Sequence, residues 1–512
     1  MHDDPPFPYP VLESLRKAPG DIAFEHGDRL VSRGELLDLI ERLAAALRDK
    51  GLGPGRGVAL YTGVSPEGFA AHMAAHLLGC RVLCVRPGLT PRLLAHVLGM
   101  EVDAVVADAS TATPDLFTAA GPAAVLSLGP VEGAADLLTC TDRVTECMGR
   151  MDDVALLTFT SGSTGVPKGC AFTYRGLAAH WSWNPRNWTP MAAVVAASFE
   201  RFAVFGTLAA SVILDYVVLC VLGGGTAVIP VDDGRPLYPY AIERHRLTGT
   251  VMAAPRLCQM LDVLREEKAD TSSLRVVMVG GSPITPHRLA EAVERLGPVV
   301  YHGYGMTEGS LISMLTPADL ARFPNATASA GLAHPAVEIS VRDEQGRDLP
   351  TGHTGELYVR SPYLMTSYWN QPEETREVLH DGWLRTRDLG HLDTDGLLYL
   401  SGRIRDVILV HASVVYAGPI ERLLATHPTV AEAYVTAAPD DRTGEAVHAF
   451  IVPVPGRTPD PAALTTLVRA ELGADSVPKT ITTVTDVPVA PSGKPDKRAL
   501  LAQYGPEALG SL

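Results

Sequence analysis

The sequence predicts an α/β protein with two domains. Residues 1–404 are expected to form a large N-terminal domain of parallel-rich sheets plus a barrel-like module, and residues 405–512 a small α+β C-terminal domain. Apolar strand-like runs alternate with helical patterns from Phe24 to about Gly331, which is typical of α/β structure. Beyond Gly331, short alternating runs separated by turn residues indicate antiparallel strands. From Arg405 on, two helical and two strand-like patterns are enough for a separate small domain.

A strand–helix–strand order recurs along the N-terminal region. GVALYTGVS, EGFAAHMAAHLLG and RVLCVRP follow one another from Gly57, and a second series runs from Gly249 through GTVMAAP, RLCQMLDVLREE, LRVVMVGG, PHRLAEAVERLG and PVVYHGYG. Because a helix between two strands is the usual crossover between parallel neighbours, these segments predict parallel pairing. Glycine-rich turns stand at the strand ends, where small residues allow a ligand to approach the backbone.

Composition excludes several classes of function. The chain has 512 residues, of which 46% are hydrophobic and 20% charged, as in soluble globular proteins. A net charge of −15 disfavours nucleic acid and anionic membranes as partners. The seven cysteines are odd in number and lack zinc-site spacing, and the first residues lack a signal-peptide pattern, so a cytoplasmic protein is expected. The apolar stretch Ala203–Val231 is interrupted by Asp215 and by three glycines, which predicts a buried helix, a turn and a buried strand rather than a membrane span.

The strongest local motif is the segment Thr160–Gly169, which directly follows the strand-like run VALLTF. Small residues let backbone amides approach phosphate oxygens, hydroxyls add donors, and a lysine supplies positive charge. The segment is not a Walker A loop, because its lysine precedes the last glycine and follows a proline. Its candidate phosphate-binding residues are Thr160, Ser161, Gly162, Ser163, Thr164, Gly165 and Lys168.

Four further segments follow in order: Tyr304–Glu308, Asp381–Asp388, Ser401–Asp406 and Pro491–Arg498. With the Thr160–Gly169 motif, they resemble the adenylate-forming superfamily of acyl-CoA ligases, peptide-synthetase adenylation domains and luciferases over nearly the whole chain. The resemblance implies an ATP-dependent, AMP-forming ligase. A carboxylate would attack the α-phosphate of ATP, pyrophosphate would leave, and the acyl adenylate would pass its acyl group to an acceptor.

The resemblance also implies roles for individual residues. It places adenine against Tyr304, within Tyr304-Gly305-Met306, gives Thr307 a phosphate contact, and assigns magnesium to Glu308, a hard oxygen ligand. Gly281 and Ser282 would line the nucleotide and acyl pocket, Asp388 would hold the ribose hydroxyls, and Arg403 would contact ribose and phosphate. Lys494 would bridge the carboxylate and the α-phosphate, and the small domain would be mobile about a hinge at Arg405. The joint presence of these residues disfavours a non-catalytic nucleotide-binding protein.

Three positions depart from the family pattern. Arg387 stands where glycine is usual, Arg405 where aspartate or lysine is more familiar, and Leu409-Val410-His411-Ala412-Ser413 where acyl-CoA ligases carry a glycine pair. Side chains in that segment occupy space needed for close backbone approach. The acceptor therefore stays open between CoA, a carrier protein, an amine in an amide ligase, and nitrite in a diazotase acting on an aromatic amine.

The expected acyl pocket lies at Ala196–Phe205, which lacks the FDxS pattern of amino-acid-selecting enzymes. Its three phenylalanines, with His302 and Gly303 after the later strand, would suit an aromatic acid. The same aromatic residues could equally belong to the core. The candidate substrate-pocket residues are Phe199, Phe202, Phe205, His302 and Gly303.

Overall fold

The fold is described from a computed structural model. It describes residues 6–161, 167–282, 284–404, 407–410, 413–440, 443–490 and 495–505. Within these ranges four sheets form, together with sixteen α-helices. The helices are Tyr9–Lys17, Arg33–Asp49, Pro66–Leu77, Pro91–Leu98, Pro114–Ala120, Tyr174–Ala179, Pro190–Ser198, Ser211–Leu222, Tyr240–His245, Ala254–Glu266, Pro286–Leu296, Pro317–Arg322, Pro372–Val378, Ala417–Ala425, Pro461–Leu472 and Lys497–Tyr504.

A nine-stranded sheet carries much of the predicted site. Its inner strands are parallel, and an antiparallel strand pairs with each end of that parallel set. In spatial order the strands are Leu332–Ala333, Ser310–Leu315, Val300–Met306, Val276–Gly280, Gly249–Ala253, Arg201–Ala203, Thr226–Ile229, Ile22–His26 and Arg29–Ser32. The predicted series from Gly249 is confirmed as parallel neighbours in register.

An eight-stranded sheet contains the earlier crossover series. The strands Gly57–Tyr61 and Arg81–Cys84 pair in parallel through the helix Pro66–Leu77, as predicted. In spatial order the strands are Ser367–Tyr368, Pro167–Thr173, Val154–Ser161, Arg81–Cys84, Gly57–Tyr61, Ala104–Asp108, Ala124–Leu128 and Ala135–Asp136. The Thr160–Gly169 motif joins two antiparallel strands of this sheet, because Thr160 is the register partner of Lys168. It therefore differs from a P-loop, in which the strand leads into a helix.

The two large sheets share one apolar core. It contains side chains from both sheets and from the helices Arg33–Asp49, Pro66–Leu77 and Ser211–Leu222. Residues 213–222 of the last helix are buried throughout, and the strand Thr226–Ile229 follows it. The prediction of a buried helix, a turn and a buried strand is confirmed. Every helix in the described ranges is too short or too polar to serve as a membrane span.

Two smaller sheets complete the fold. The first is the predicted barrel-like module, an antiparallel sheet of Glu338–Arg342, Gly355–Arg360, Trp383–Leu392 and Leu379–His380, with Leu398–Arg403 also paired to Trp383–Leu392. The second belongs to the C-terminal region, with the order Ser413–Tyr416, Val407–Val410, Gly444–Pro453 and Val430–Asp440, and with Thr480–Thr483 parallel to Gly444–Pro453. That region has its own apolar core, which includes Ile420, Val435 and Leu464. The large α/β body and the separate small α+β domain are thus confirmed.

Candidate active site

The strand ends of the nine-stranded sheet bring two predicted segments together. Val279 is the register partner of His302, so Gly281, just beyond one strand, lies near Gly303 in the next. A side chain at Gly280 would come within 3.2 Å of the Gly303 carbonyl. Gly281 has φ +78°, a conformation that glycine adopts without strain. These two strands therefore meet closely at the edge where the resemblance places the nucleotide.

Asp388 links the Tyr304 segment to the barrel-like module. The Tyr304 hydroxyl donates to Asp388 Oδ2 at 2.6 Å, and Arg403 Nε donates to Oδ1 at 2.7 Å. The antiparallel pairing of Trp383–Leu392 with Leu398–Arg403 makes Asp388 and Arg403 register partners. Burial, with the nearby Asp388 charge adding, raises the pKa of Tyr304 well above its usual value, so the phenol stays protonated. Three residues assigned to adenine and ribose thus form one hydrogen-bonded group.

Glu308 lies beyond the end of the Tyr304 strand and is 6% exposed. The Tyr368 hydroxyl donates to Glu308 Oε1 at 2.8 Å, and the Glu308 carbonyl accepts from the amide of Met365 at 2.9 Å. The other carboxylate oxygen, Oε2, accepts no hydrogen bond within the described ranges. Thr307 precedes it in the turn 307–309.

Lys168 lies beside this carboxylate. Its ammonium is 5.4 Å from the centre of the Tyr368 ring and forms an ion pair with Glu374. Burial, followed by the positive charge of Arg387, lowers the pKa of Lys168. Lys168, Tyr368 and Glu308 therefore form a second group, with one cation and one anion, at which phosphate oxygens and a magnesium ion could meet.

Arg387 adopts a strained backbone conformation. Its φ is +61°, a region where a residue with a side chain costs on the order of 1 kcal/mol. Its guanidinium contacts Glu377 at 3.0 Å, and Glu377 and Glu374 lie one turn apart on the helix Pro372–Val378. This helix thus supplies acids to both cations, Lys168 and Arg387.

A single carboxylate fits the way in which magnesium is usually held with a nucleotide. Magnesium keeps several waters and takes one or two carboxylates together with phosphate oxygens. Glu308 has an open oxygen for this purpose. Among the described residues, no group of three or more His, Cys, Asp or Glu side chains is arranged to hold a metal by itself. The residues present therefore fit a metal that arrives with ATP.

The predicted substrate-pocket residues lie in different surroundings. Phe199 and Phe202 are fully buried and their rings pack 4.5 Å apart. Phe205 lines a cavity of about 500 Å³ together with Gly206 and Val231. His302 is half-buried, and desolvation of its ring lowers its pKa to about 4, so it is neutral at physiological pH. These placements leave the prediction of an acyl pocket untested.

Several predicted residues lie outside the described ranges. They are Gly162, Ser163, Thr164 and Gly165 of the phosphate segment, Arg405, His411, Ala412 and Lys494; the side chain of Ser161 is also outside the description. Their roles stay predictions.

The structure adds a ring cluster that the sequence analysis did not identify. His180 lies 5.9 Å from the Trp181 ring and 5.1 Å from the Tyr363 ring, and its Nε2 is 2.8 Å from Ser310 Oγ. Because His180 Nδ1 accepts from the amide of Ser182, Nε2 carries the proton and donates to Ser310. Ser310 is two residues beyond Glu308, so the cluster adjoins the predicted magnesium ligand. The sequence gives one sign of this cluster, Asp215, which is a lone acid in an apolar helix and accepts a hydrogen bond from Trp183 of the cluster.

Comparison with known proteins gives consistent results. A family model described as AMP-binding enzyme matches residues 11–369, and one described as AMP-binding enzyme C-terminal domain matches residues 419–494. Indoleacetate–CoA ligase of Aromatoleum aromaticum is 32% identical, over 95% of this chain and 96% of the relative.

Two solved structures extend the similarity. The amide bond synthetase McbA of Marinactinospora thermotolerans has a TM-score of 0.85 and 34% identity, over 96% of this chain and 99% of its own. ATP-bound MatB of Rhodopseudomonas palustris has a TM-score of 0.84 and 25% identity, over 97% and 99%. The chain therefore belongs to the AMP-binding enzymes of the adenylate-forming superfamily, and is an AMP-forming ligase that activates an acid with ATP as its acyl adenylate and transfers the acyl group to an acceptor.

Proposed function

We propose that this ligase activates an aromatic acid and transfers the aroyl group to an amine rather than to CoA. The observation that carries the proposal is the cluster of rings beside Ser310, two residues from Glu308. Its members His180, Trp181, Trp183, Tyr216 and Tyr363 are all nearly buried. An aromatic acyl group bound against these rings would be stabilised, since ring pairs gain about 0.5–1.5 kcal/mol beyond their buried area. An aromatic acid is also named for the relative indoleacetate–CoA ligase.

Each predicted residue has a chemical task in this scheme. Tyr304, Asp388 and Arg403 bind adenine and ribose, and Thr307 and Lys168 contact phosphate oxygens. Glu308 would hold Mg²⁺, which neutralises phosphate charge when bound. Lys494 stabilises the charge that develops on the α-phosphate and the attacking carboxylate. Tyr368 holds the Glu308 carboxylate in place through its hydroxyl.

The acceptor is inferred from the segment Leu409–Ser413. Pantetheine must pass close to the backbone there in acyl-CoA ligases, and this chain presents side chains instead of a glycine pair. The small domain, which we propose begins at residue 405 and moves about Arg405, would bring this segment to the adenylate for the second step. A small amine needs less room than pantetheine. The similarity to an amide bond synthetase over almost the whole chain supports this choice.

A CoA thioester is the second candidate, because a whole-length relative is named a CoA ligase. The two functions differ in product. With a panel of aromatic and aliphatic acids, we expect pyrophosphate release with aromatic acids, and mass spectrometry should detect amide from a primary amine at least about 10-fold faster than acyl-CoA from CoA. Replacing His411 and Ala412 by glycine should raise the rate with CoA and leave the amine rate nearly unchanged. Faster thioester than amide formation in the unmodified enzyme would contradict the proposed acceptor.

Arg387 is expected to assist ATP binding. Arg387 has a strained backbone next to Asp388, and its guanidinium is paired with Glu377. When ATP binds, we expect this guanidinium to leave Glu377 and to contact a phosphate instead. Arg387→Gly should raise the KM for ATP about 5-fold, the size expected for one exposed charge contact. Its melting temperature should change little, because glycine relieves the positive φ.

Two variants control that measurement. Asp381→Gly relieves another positive φ, +50°, in a nearby turn and should leave the KM for ATP unchanged. Glu377→Gln frees Arg387 from its partner and should lower the KM. An unaltered KM for ATP in Arg387→Gly would remove Arg387 from the nucleotide site.

A further inference from the structure

Asp215 is a buried carboxyl in the apolar helix Ser211–Leu222. It is 9% exposed, and Trp183 Nε1 donates to its Oδ1 at 2.6 Å. Its Oδ2 accepts no hydrogen bond within the described part of the chain. Burial raises the pKa of Asp215 to about 7, even though the Trp183 bond favours the ionised form. Because an incompletely paired buried carboxyl costs several kcal/mol relative to an apolar residue, about 2–7 on transfer scales, stability does not explain this residue.

Two buried N–H donors in the same cluster also lack partners. Trp181 and His334 have ring centres 5.9 Å apart. His334 Nδ1 accepts from the amide of Ala336 at 3.2 Å, so Nε2 carries the proton of the neutral ring. Neither Trp181 Nε1 nor His334 Nε2 has a hydrogen-bond partner among the described residues. Each such group costs about 1–3 kcal/mol when it stays unpaired, which points to a ligand that supplies acceptors.

The acid and the two donors belong to one continuous ring cluster. The Trp181 ring lies 6.0 Å from that of Tyr216, the residue after Asp215, and 5.9 Å from that of His180. His180 also lies 5.6 Å from the Trp183 ring that donates to Asp215. Through its bond to Ser310, His180 connects the cluster to the segment that carries Glu308. A planar acid bound against this cluster would therefore meet polar groups on its ring.

We propose that Asp215 is a specificity-determining residue that accepts a hydrogen bond from a ring N–H of a fused heteroaromatic acid. Trp181 and His334 donate to a carbonyl or ring acceptor on the same molecule. This inference rests on the proposed aromatic substrate and narrows its class. A buried site that accepts a hydrogen bond from a substrate N–H binds an analogue without that N–H poorly, because the carboxylate oxygen of the protein would then be left unpaired.

Two ring-matched acids test the inference. Indole-2-carboxylic acid carries the N–H, and benzofuran-2-carboxylic acid has an oxygen in its place. With the full chain and saturating MgATP, kcat/KM for pyrophosphate release should favour the indole acid by about 30-fold or more. In Asp215→Leu this ratio should fall to near 1, with the benzofuran acid used at least as well as before. The variant should also unfold at a higher temperature, since an apolar side chain replaces a buried acid.

Asp215→Asn gives a second test that does not depend on the leucine variant. The amide oxygen can still accept from Trp183, and the amide nitrogen then presents a donor, so the preference should turn toward the benzofuran acid. Trp183→Phe keeps the ring and removes the bond that orients Asp215, and it should give an intermediate ratio.

The outcomes separate the two proposals. If no aromatic acid releases pyrophosphate, the proposed function fails. If aromatic acids react but the unmodified enzyme treats the indole and benzofuran acids alike, the Asp215 inference fails and the aromatic function stands. A preference that persists in Asp215→Leu, or an effect of Asp215 on the KM of the amine alone, would also overturn the inference.

Discussion

Replacing Lys494 by alanine should slow acyl-adenylate formation by about 10³-fold while ATP binding stays nearly intact. Negative charge grows on the α-phosphate and on departing pyrophosphate in the transition state, and a cation placed there is worth far more in that state than in the ground state. The resemblance assigns adenine and ribose to Tyr304, Asp388 and Arg403, which hold one another by hydrogen bonds, so we expect ATP binding to survive the loss of this lysine. Two measurements check this prediction: the rate of pyrophosphate release in a single turnover, and the affinity for ATP measured by calorimetry.

Lys497→Ala is the matched control for that variant. Lys497 lies three residues further along the same segment, and its ammonium contacts Glu421 Oε1 at 2.7 Å. Losing a partly exposed ion pair lowers the free energy of unfolding by at most about 1 kcal/mol. The rate of adenylation should stay unchanged. Equal losses of ATP affinity and rate in Lys494→Ala would show that the lysine binds the ground state and has no special role in the reaction.

Replacing Glu308 by glutamine should lower the rate of pyrophosphate release by about 10²-fold and shift the Mg²⁺ requirement to higher concentration. Glutamine keeps the shape of the side chain and can still accept from the Tyr368 hydroxyl, but it removes the negative charge that attracts a hard cation. Titrating the activity with Mg²⁺ at fixed ATP measures the shift directly.

Tyr368→Phe separates the charge of Glu308 from its position. It removes the hydroxyl that holds Oε1 at 2.8 Å and leaves the charge in place, so a loss of about 10-fold is expected, as for other partners of metal ligands. If Glu308→Gln kept the Mg²⁺ dependence of the unmodified enzyme, the metal would have to be held elsewhere.

The candidate site shows what sequence motifs predict and what they do not. Lys168, Glu308 and Asp388 stand in short motifs that identify the family, and the family resemblance places them in one site although they are far apart in the chain. Their contacts were not predictable. Tyr368 is 60 residues from Glu308 and belongs to no recognised motif, and the acids Glu374 and Glu377 gave no sign that they would meet Lys168 and Arg387.

For the aromatic residues and Asp215, the sequence predicts burial but not the contacts that each side chain makes. The sequence allows Phe199 and Phe202 to lie either in the acyl pocket or in the core, and their burial against one another fits both places. Asp215 interrupts an apolar run in the sequence, but its hydrogen-bond partner Trp183 lies 32 residues earlier in the chain. Periodicity indicates that such a residue is buried and gives no information about what it meets.

By itself, the sequence determined the α/β class, the separate small domain and the family's chemistry, because crossover patterns and ordered motifs are local properties of the chain. The tertiary structure decided which oxygen of Asp388 meets Tyr304 and which meets Arg403, and that Tyr368 orients Glu308. It also decided that a carboxyl and two unpaired N–H groups share one ring cluster. Hydrogen bonds act over about 3 Å and depend on direction, so they are set by how distant segments pack and not by the order of residues in any one of them.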